Sequence, residues 1–183
     1  TYNGRFTKIV DYFNKLPVSK SKEIVSKSFD EETRRNSLQI SSFLNFANIF
    51  LYLLTYDADA YYSDVNGQST FHMISYRGHT KLLALLLNHE RYKMKMKSLE
   101  RVDSIKKSSG FSKLDIVKGK LSRAVHHTPL NVQKFADMQK ALRDEAKRLI
   151  KEFIDKLGEA LTKKDKEGQT PLHLAAMSKF PLS

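Results

Sequence analysis

The sequence predicts an all-α fold of stacked helix pairs with tight turn fingers and one inserted long helix. Three observations carry this expectation. A pattern of apolar and turn positions recurs at a spacing of 33 residues, from Arg34 to Gly67. Its opening returns as DKEGQTPLHLAA at positions 165–176. Between them, Phe135, Met138, Leu142, Leu149, Ile150, Phe153 and Leu157 keep helical spacing. Periods of about 20–50 residues mark solenoids, whose units bury their apolar faces only by stacking on neighbours.

Composition narrows the function classes. At 183 residues with 40% hydrophobic side chains, the chain can build a substantial core. The longest apolar run, Phe43 to Leu54, holds Asn45 and Asn48 and is too short for a bilayer, so it reads as a buried helix. No signal-peptide pattern follows Thr1. The lack of cysteine removes disulfide frameworks and thiolate chemistry and fits an intracellular, cytoplasmic setting.

Taken in order, Asn3–Leu16 reads as a second helix of a pair, with Ile9, Val10, Tyr12 and Phe13 toward the core. The segment Pro17–Thr33 holds a short helix around Ile24, Val25 and Phe29. The next pair starts at Arg34, and stepping on 33 residues sets Leu38 against Phe71, Gln39 against His72 and Asn45 against Gly78. Leu53 and Leu54 then fall at Leu86 and Leu87. A degraded copy spans Ser108–Lys120, its Gly110 lying 43 residues after Gly67. The surplus comes from the basic stretch Arg91–Lys107, where Leu99, Val102 and Ile105 suggest a helical extension. A helix of about 26 residues, roughly 39 Å long, starts near Asn131. Its first half is expected to leave the stack as an outward docking element, with Phe135, Met138 and Leu142 meeting either Leu99, Val102 and Ile105 of the basic segment or another chain.

The quoted segments resemble the ankyrin repeat. Thr170-Pro171-Leu172-His173-Leu174-Ala175-Ala176 matches the family's first-helix motif in full, and Ser69-Thr70-Phe71-His72 is a looser copy. Gly78-His79 stands at the inter-helix turn, and Asp57-Ala58-Asp59 where the family has Gly-Ala-Asp. Physical reasons run beside the resemblance. Gly67 and Gly168 allow a positive φ in the finger, Thr170 can cap its helix, and Pro171 at the first helical position loses no bond. The resemblance implies that His72 and His173 are buried hydrogen-bonding residues. It divides the chain into a partial repeat 1–30, repeats 31–63 and 64–106, a degenerate repeat 107–164 and a partial repeat 165–183. Neither end reads as a polar cap, so the expectation is a window of a longer array, marginally stable by itself.

No catalytic constellation emerges, and no cofactor, metal or small-molecule substrate is expected. His126-His127 lacks a third ligand, and the tyrosines lie in no nucleic-acid module. Function is assigned to the surface. The resemblance points to finger tips and first-helix positions as partner-binding residues: Val65, Asn66, Gln68, Tyr76 and Arg77; Lys166, Glu167 and Gln169; and Glu32, Thr33, Arg35, Phe43 and Leu44. Net charge is +12, with eleven Lys/Arg against three acids between Arg91 and Arg123. A basic patch at Lys93, Lys95, Lys97, Lys106 and Lys107 suits an acidic partner, unless it is a solvated insertion. The expectation is a non-catalytic protein-interaction scaffold held to an acidic protein in a larger assembly, such as the cytoskeleton. The alternative is the cytosolic ankyrin region of a membrane channel or larger enzyme. Membrane contact would then need spans outside these residues.

Overall fold

The computed structural model describes residues 2–28, 31–108 and 129–178. These form α1 (Tyr2–Asn14), α2 (Val18–Ser26), α3 (Ser37–Phe43), α4 (Ala47–Thr55), α5 (Thr70–Arg77), α6 (Thr80–Ser108), α7 (Pro129–Thr162) and α8 (Pro171–Met177). Among the described residues there is no strand, only an isolated bridge between Ser28 and Asn36. The all-α expectation holds. Two compact units result, residues 1–89 with 157–183, and residues 90–156.

In the first unit, local chemistry starts three helices in the same way. Asn36 caps α3 by accepting the Gln39 N–H at 2.9 Å, while Gln39 Oε1 accepts the Asn36 N–H at 3.0 Å. Ser69 and His72 form the same reciprocal box on α5, and Thr170 and His173 form it on α8. Each box satisfies amides that the first helical turn leaves without partners. Positive φ also recurs at equivalent sites. Arg34 (53°) matches Gly67 (77°), and Asn45 (59°) matches Gly78 (65°). Gly67 is needed for a second reason, because a Cβ there would stand 3.2 Å from the Asp165 Cα.

These helices pack in series. α3 lies on α4 and α5, and α5 lies on α8. Leu38, Phe50, Leu54, Phe71, Ile74, Leu82 and Leu86 make the core, with Leu157 and Ala160 of α7 against it. Each such side chain contributes about 1.5–3 kcal/mol when fully buried. α1 adds an aromatic cluster, Phe13 packing on Tyr52 at 5.9 Å and on Tyr56 at 5.2 Å between ring centroids. Tyr12, read as a core residue, is instead 55% exposed, because the core contact at this end of α1 is made by Phe13 and Ile9. In α2, Val25 is buried as expected, while Phe29 lies outside the described residues.

The second unit pairs the later part of α6 with the earlier part of α7. Lys97 bonds Glu152, and Arg101 bonds Glu145. The later residue on one helix meets the earlier on the other, so the two run antiparallel. On α7, Met138 and Leu149 are buried, and Leu142, Glu145 and Phe153 are half-buried. Spaced by three or four residues, these five define the seam. This half of α7 belongs to the second unit and not to the first, as expected. Met138 and Leu142 lie on the buried side of α7 and so offer no open docking surface to another chain, while Phe135 remains 45% exposed. α7 is also longer than expected, at 34 residues.

Two substitutions test the local account. Thr70 stands where Pro171 stands in α8, fully buried, with a hydroxyl that has no partner. The preceding Ser69 is extended (ψ 176°), as a residue before proline must be. Thr70→Pro should therefore stabilise the protein by about 1 kcal/mol, by removing an unsatisfied buried hydroxyl and restricting the unfolded chain. A thermal melt should show a rise of about 2–4 °C. Arg34→Gly, which relieves a left-handed non-glycine residue, should add about 0.5 kcal/mol in denaturant titration.

Candidate functional site

Three hydrogen bonds join one finger to the next, and each occurs twice. The Val65 N–H donates to the Thr33 carbonyl at 3.0 Å, and the Lys166 N–H to the Asn66 carbonyl at 2.8 Å. Arg35 Nε donates to Asp64 Oδ2 at 3.2 Å, and Gln68 Nε2 to Asp165 Oδ2 at 3.2 Å. Gln39 Nε2 reaches the Gln68 carbonyl at 2.6 Å and the Tyr62 carbonyl at 3.5 Å, and His72 Nε2 bonds the Lys163 carbonyl at 3.1 Å. The donor layers are 33 residues apart (Arg35 to Gln68), and the acceptor layers 101 (Asp64 to Asp165).

The fingers at 64–68 and 165–169 thus bond directly, with no layer between them. One period of 33 taken from 101 leaves 68 residues, and the second unit, 90–156, spans 67. Its length accounts for the surplus. Of the copy read at Ser108–Lys120, only Ser108 belongs to the described residues.

Within each finger the aspartate organises the turn. Asp64 Oδ1 accepts the Asn66 and Gln68 N–H groups, both at 2.9 Å. Asp165 Oδ1 accepts those of Glu167 and Gln169 at 3.0 and 2.8 Å. Burial pushes the Asp165 carboxyl up, but the bonds from Gln169, Gln68 and Glu167 together outweigh it and hold it below the usual range.

The expected partner-binding residues separate into two groups. Arg35 and Gln68 spend their side chains on the next finger, and Val65 is half-buried with its amide on Thr33. Arg77 is also engaged. Its Nε donates to the Phe43 carbonyl at 3.3 Å and its guanidinium lies 4.4 Å from the Phe43 ring centroid. Arg35 covers the same ring from 5.7 Å. Phe43, a large apolar side chain on a first helix, is therefore sheltered by two cations within the chain. Asn66, Tyr76, Lys166, Glu167 and Leu44 remain exposed, as does Glu32, while Gln169 is half-buried. Gln169 Nε2 turns back to Glu167 at 3.2 Å, in place of the next-finger aspartate that Gln68 meets.

The two histidines differ. His72 is fully buried, with Nδ1 accepting the Ser69 N–H and Nε2–H donating to Lys163. Burial pushes its pKa down, against the pull of Asp165 and nearby carbonyls. His173 was expected to be buried too, but is exposed. Its box with Thr170 is intact, and no described finger covers it as the Lys163 segment covers His72. Burial of this residue type comes from the following layer and not from its own helix.

The basic insertion is partly neutralised. Residues 90–156 hold 18 of the 32 Lys/Arg and 9 of the 20 acids. Lys97 is taken by Glu152, and Glu145, held between Arg148 and Arg101, has its pKa lowered to about 2. Lys93, Lys95 and Lys107 are exposed; the Lys106 side chain lies outside the described residues.

Among the described residues no group of three or more His, Cys, Asp or Glu could hold a metal ion, and no helix is long and apolar enough to cross a membrane. Compared with known proteins, the chain matches no family model and no curated relative.

The buried histidine gives a pH prediction. Because its folded pKa lies below the usual 6.5, the neutral ring is favoured in the folded state. Its contribution is fully present above 6.5 and is lost as pH falls through the folded value. His79 is shifted the same way by burial. The melting temperature should fall between about pH 7.5 and 5, a range spanning the ordinary histidine value. His72→Gln, which copies Gln39 and keeps both bonds, should flatten but not abolish that slope. An unchanged slope would show that His72 does not couple the layers.

Proposed function

We propose that the chain is part of an ankyrin-repeat array and acts as a non-catalytic scaffold for a protein partner in the cytoplasm. The observation that carries this reading is the recurrence of one capping box at positions 36–39, 69–72 and 170–173, and of one set of inter-finger bonds made twice, between the first and second and the second and third of these layers. A device repeated to hold a stack in register leaves the finger tips and the exposed first-helix side as the variable surface. On that surface Asn66, Tyr76, Lys166 and Glu167 are open to solvent. Tyrosine beside adaptable polar groups suits protein recognition. The excess of positive charge favours a partner with an acidic surface.

Site-specific photo-crosslinking tests this reading. A benzophenone side chain placed singly at Asn66, Tyr76 or Lys166 should capture a common protein in cells expressing the natural full-length protein. The same group at Leu51, which is 45% exposed on α4, should not. Equal capture at Leu51, or none at the finger and first-helix positions, would sink the proposal.

A further inference from the structure

The outward face of α7 carries a second surface, independent of the fingers. Lys140, Arg143, Lys147, Ile150 and Ile154 follow one another at steps of three, four, three and four residues. That spacing sets all five on one helical line, turned away from the seam of Met138, Leu142, Leu149 and Phe153. All five are exposed, the isoleucines 52% and 59%. None of the three cations forms an ion pair with the described residues. The helix's acids lie off this line: Glu145 and Glu152 are engaged by Arg101, Arg148 and Lys97, and Asp137 by Gln133. The exposed Asp144 borders it beside Lys140 and Lys147, and Asp155 and Glu159 lie further round the helix. The result is a strip whose own line is cationic for about 10 Å and apolar for the next turn, bordered by Asp144 on its cationic half and Lys151 on its apolar half.

We propose that this strip docks an α-helix of a partner protein, acidic over two turns and apolar over the next. Charge complementarity fixes the first half and the exposed isoleucines the second. The steps of three and four residues are those of helix-on-helix seams. A membrane surface fits less well. A helix lying in a bilayer interface puts its apolar residues at the centre and its cations on the flanks, whereas here the two classes share one line. A phosphate backbone would use the cations and leave two isoleucines against charge.

The test uses the whole chain and a designed helical peptide of about three heptads. It carries Glu at the seam positions of its first half and Leu at those of its second. Binding is read by fluorescence anisotropy. The peptide should bind at least about tenfold more tightly than a scrambled peptide of the same composition, because the match is geometric and not only electrostatic. Lys140→Glu with Arg143→Glu and Lys147→Glu should weaken it at least about tenfold and reduce its salt dependence. A peptide with Lys for Glu should restore binding to that variant, which also shows the variant to be folded. Ile150→Ser with Ile154→Ser should weaken binding without changing the salt dependence. The proposal is overturned if the scrambled peptide binds equally or the serine variant is unaffected. It also fails if the Lys peptide does not restore binding, or if phosphatidylserine vesicles or single-stranded RNA bind as tightly as the patterned peptide.

Discussion

The reciprocal bond between a helix N-cap and the third residue of its helix is the interaction on which the first unit depends. Its third-residue partner has two ends. In Gln39 the amide oxygen closes the cap while the amide nitrogen reaches the next finger. In His72 Nδ1 and Nε2 do the same work. Glutamine and neutral histidine are interchangeable here because each sets an acceptor and a donor on opposite sides of a planar group. Local helix initiation and layer-to-layer register are thereby coupled through one side chain. Protonating the histidine would replace its acceptor with a second donor facing an N–H, so the buried ring is held neutral.

A stack built this way is indifferent to what happens between its bonded points. The inter-finger bonds use finger and first-helix residues, and the core uses Leu82, Leu86, Leu157 and Ala160 of α6 and α7. Once Leu86 is placed, the chain can continue along α6 for any length before α7 returns Leu157. Residues 90–156 occupy that interval and carry their own seam and ion pairs. A hairpin that satisfies its own buried groups can be accommodated without changing the finger geometry on either side. The proposed scaffold thus has two surfaces of different chemistry, polar finger tips in the first unit and a cationic–apolar strip in the second.

What the sequence determined by itself was local. The period from Arg34 to Gly67, the cap at Thr170, and the turn geometry at Gly67 and Gly168 were all legible, because each depends on residue types and spacings within the chain's own pattern; the matching caps at Asn36 and Ser69 emerged from the structure. Even the substitution of His72 by Gln39 was visible as an alignment, though not its meaning. The tertiary structure decided which layers are neighbours and which face of a long helix is inside. The pairing of finger 64–68 with finger 165–169 rests on bonds such as Gln68 to Asp165, spanning a sequence interval that no period announces. On α7, helical spacing groups Met138, Leu142, Leu149 and Ile150 alike. Only the partner helix, through Lys97 to Glu152 and Arg101 to Glu145, selects the buried line and leaves Ile150 and Ile154 outside. Apolar periodicity states that a face is to be covered, and the covering element is a property of the folded chain.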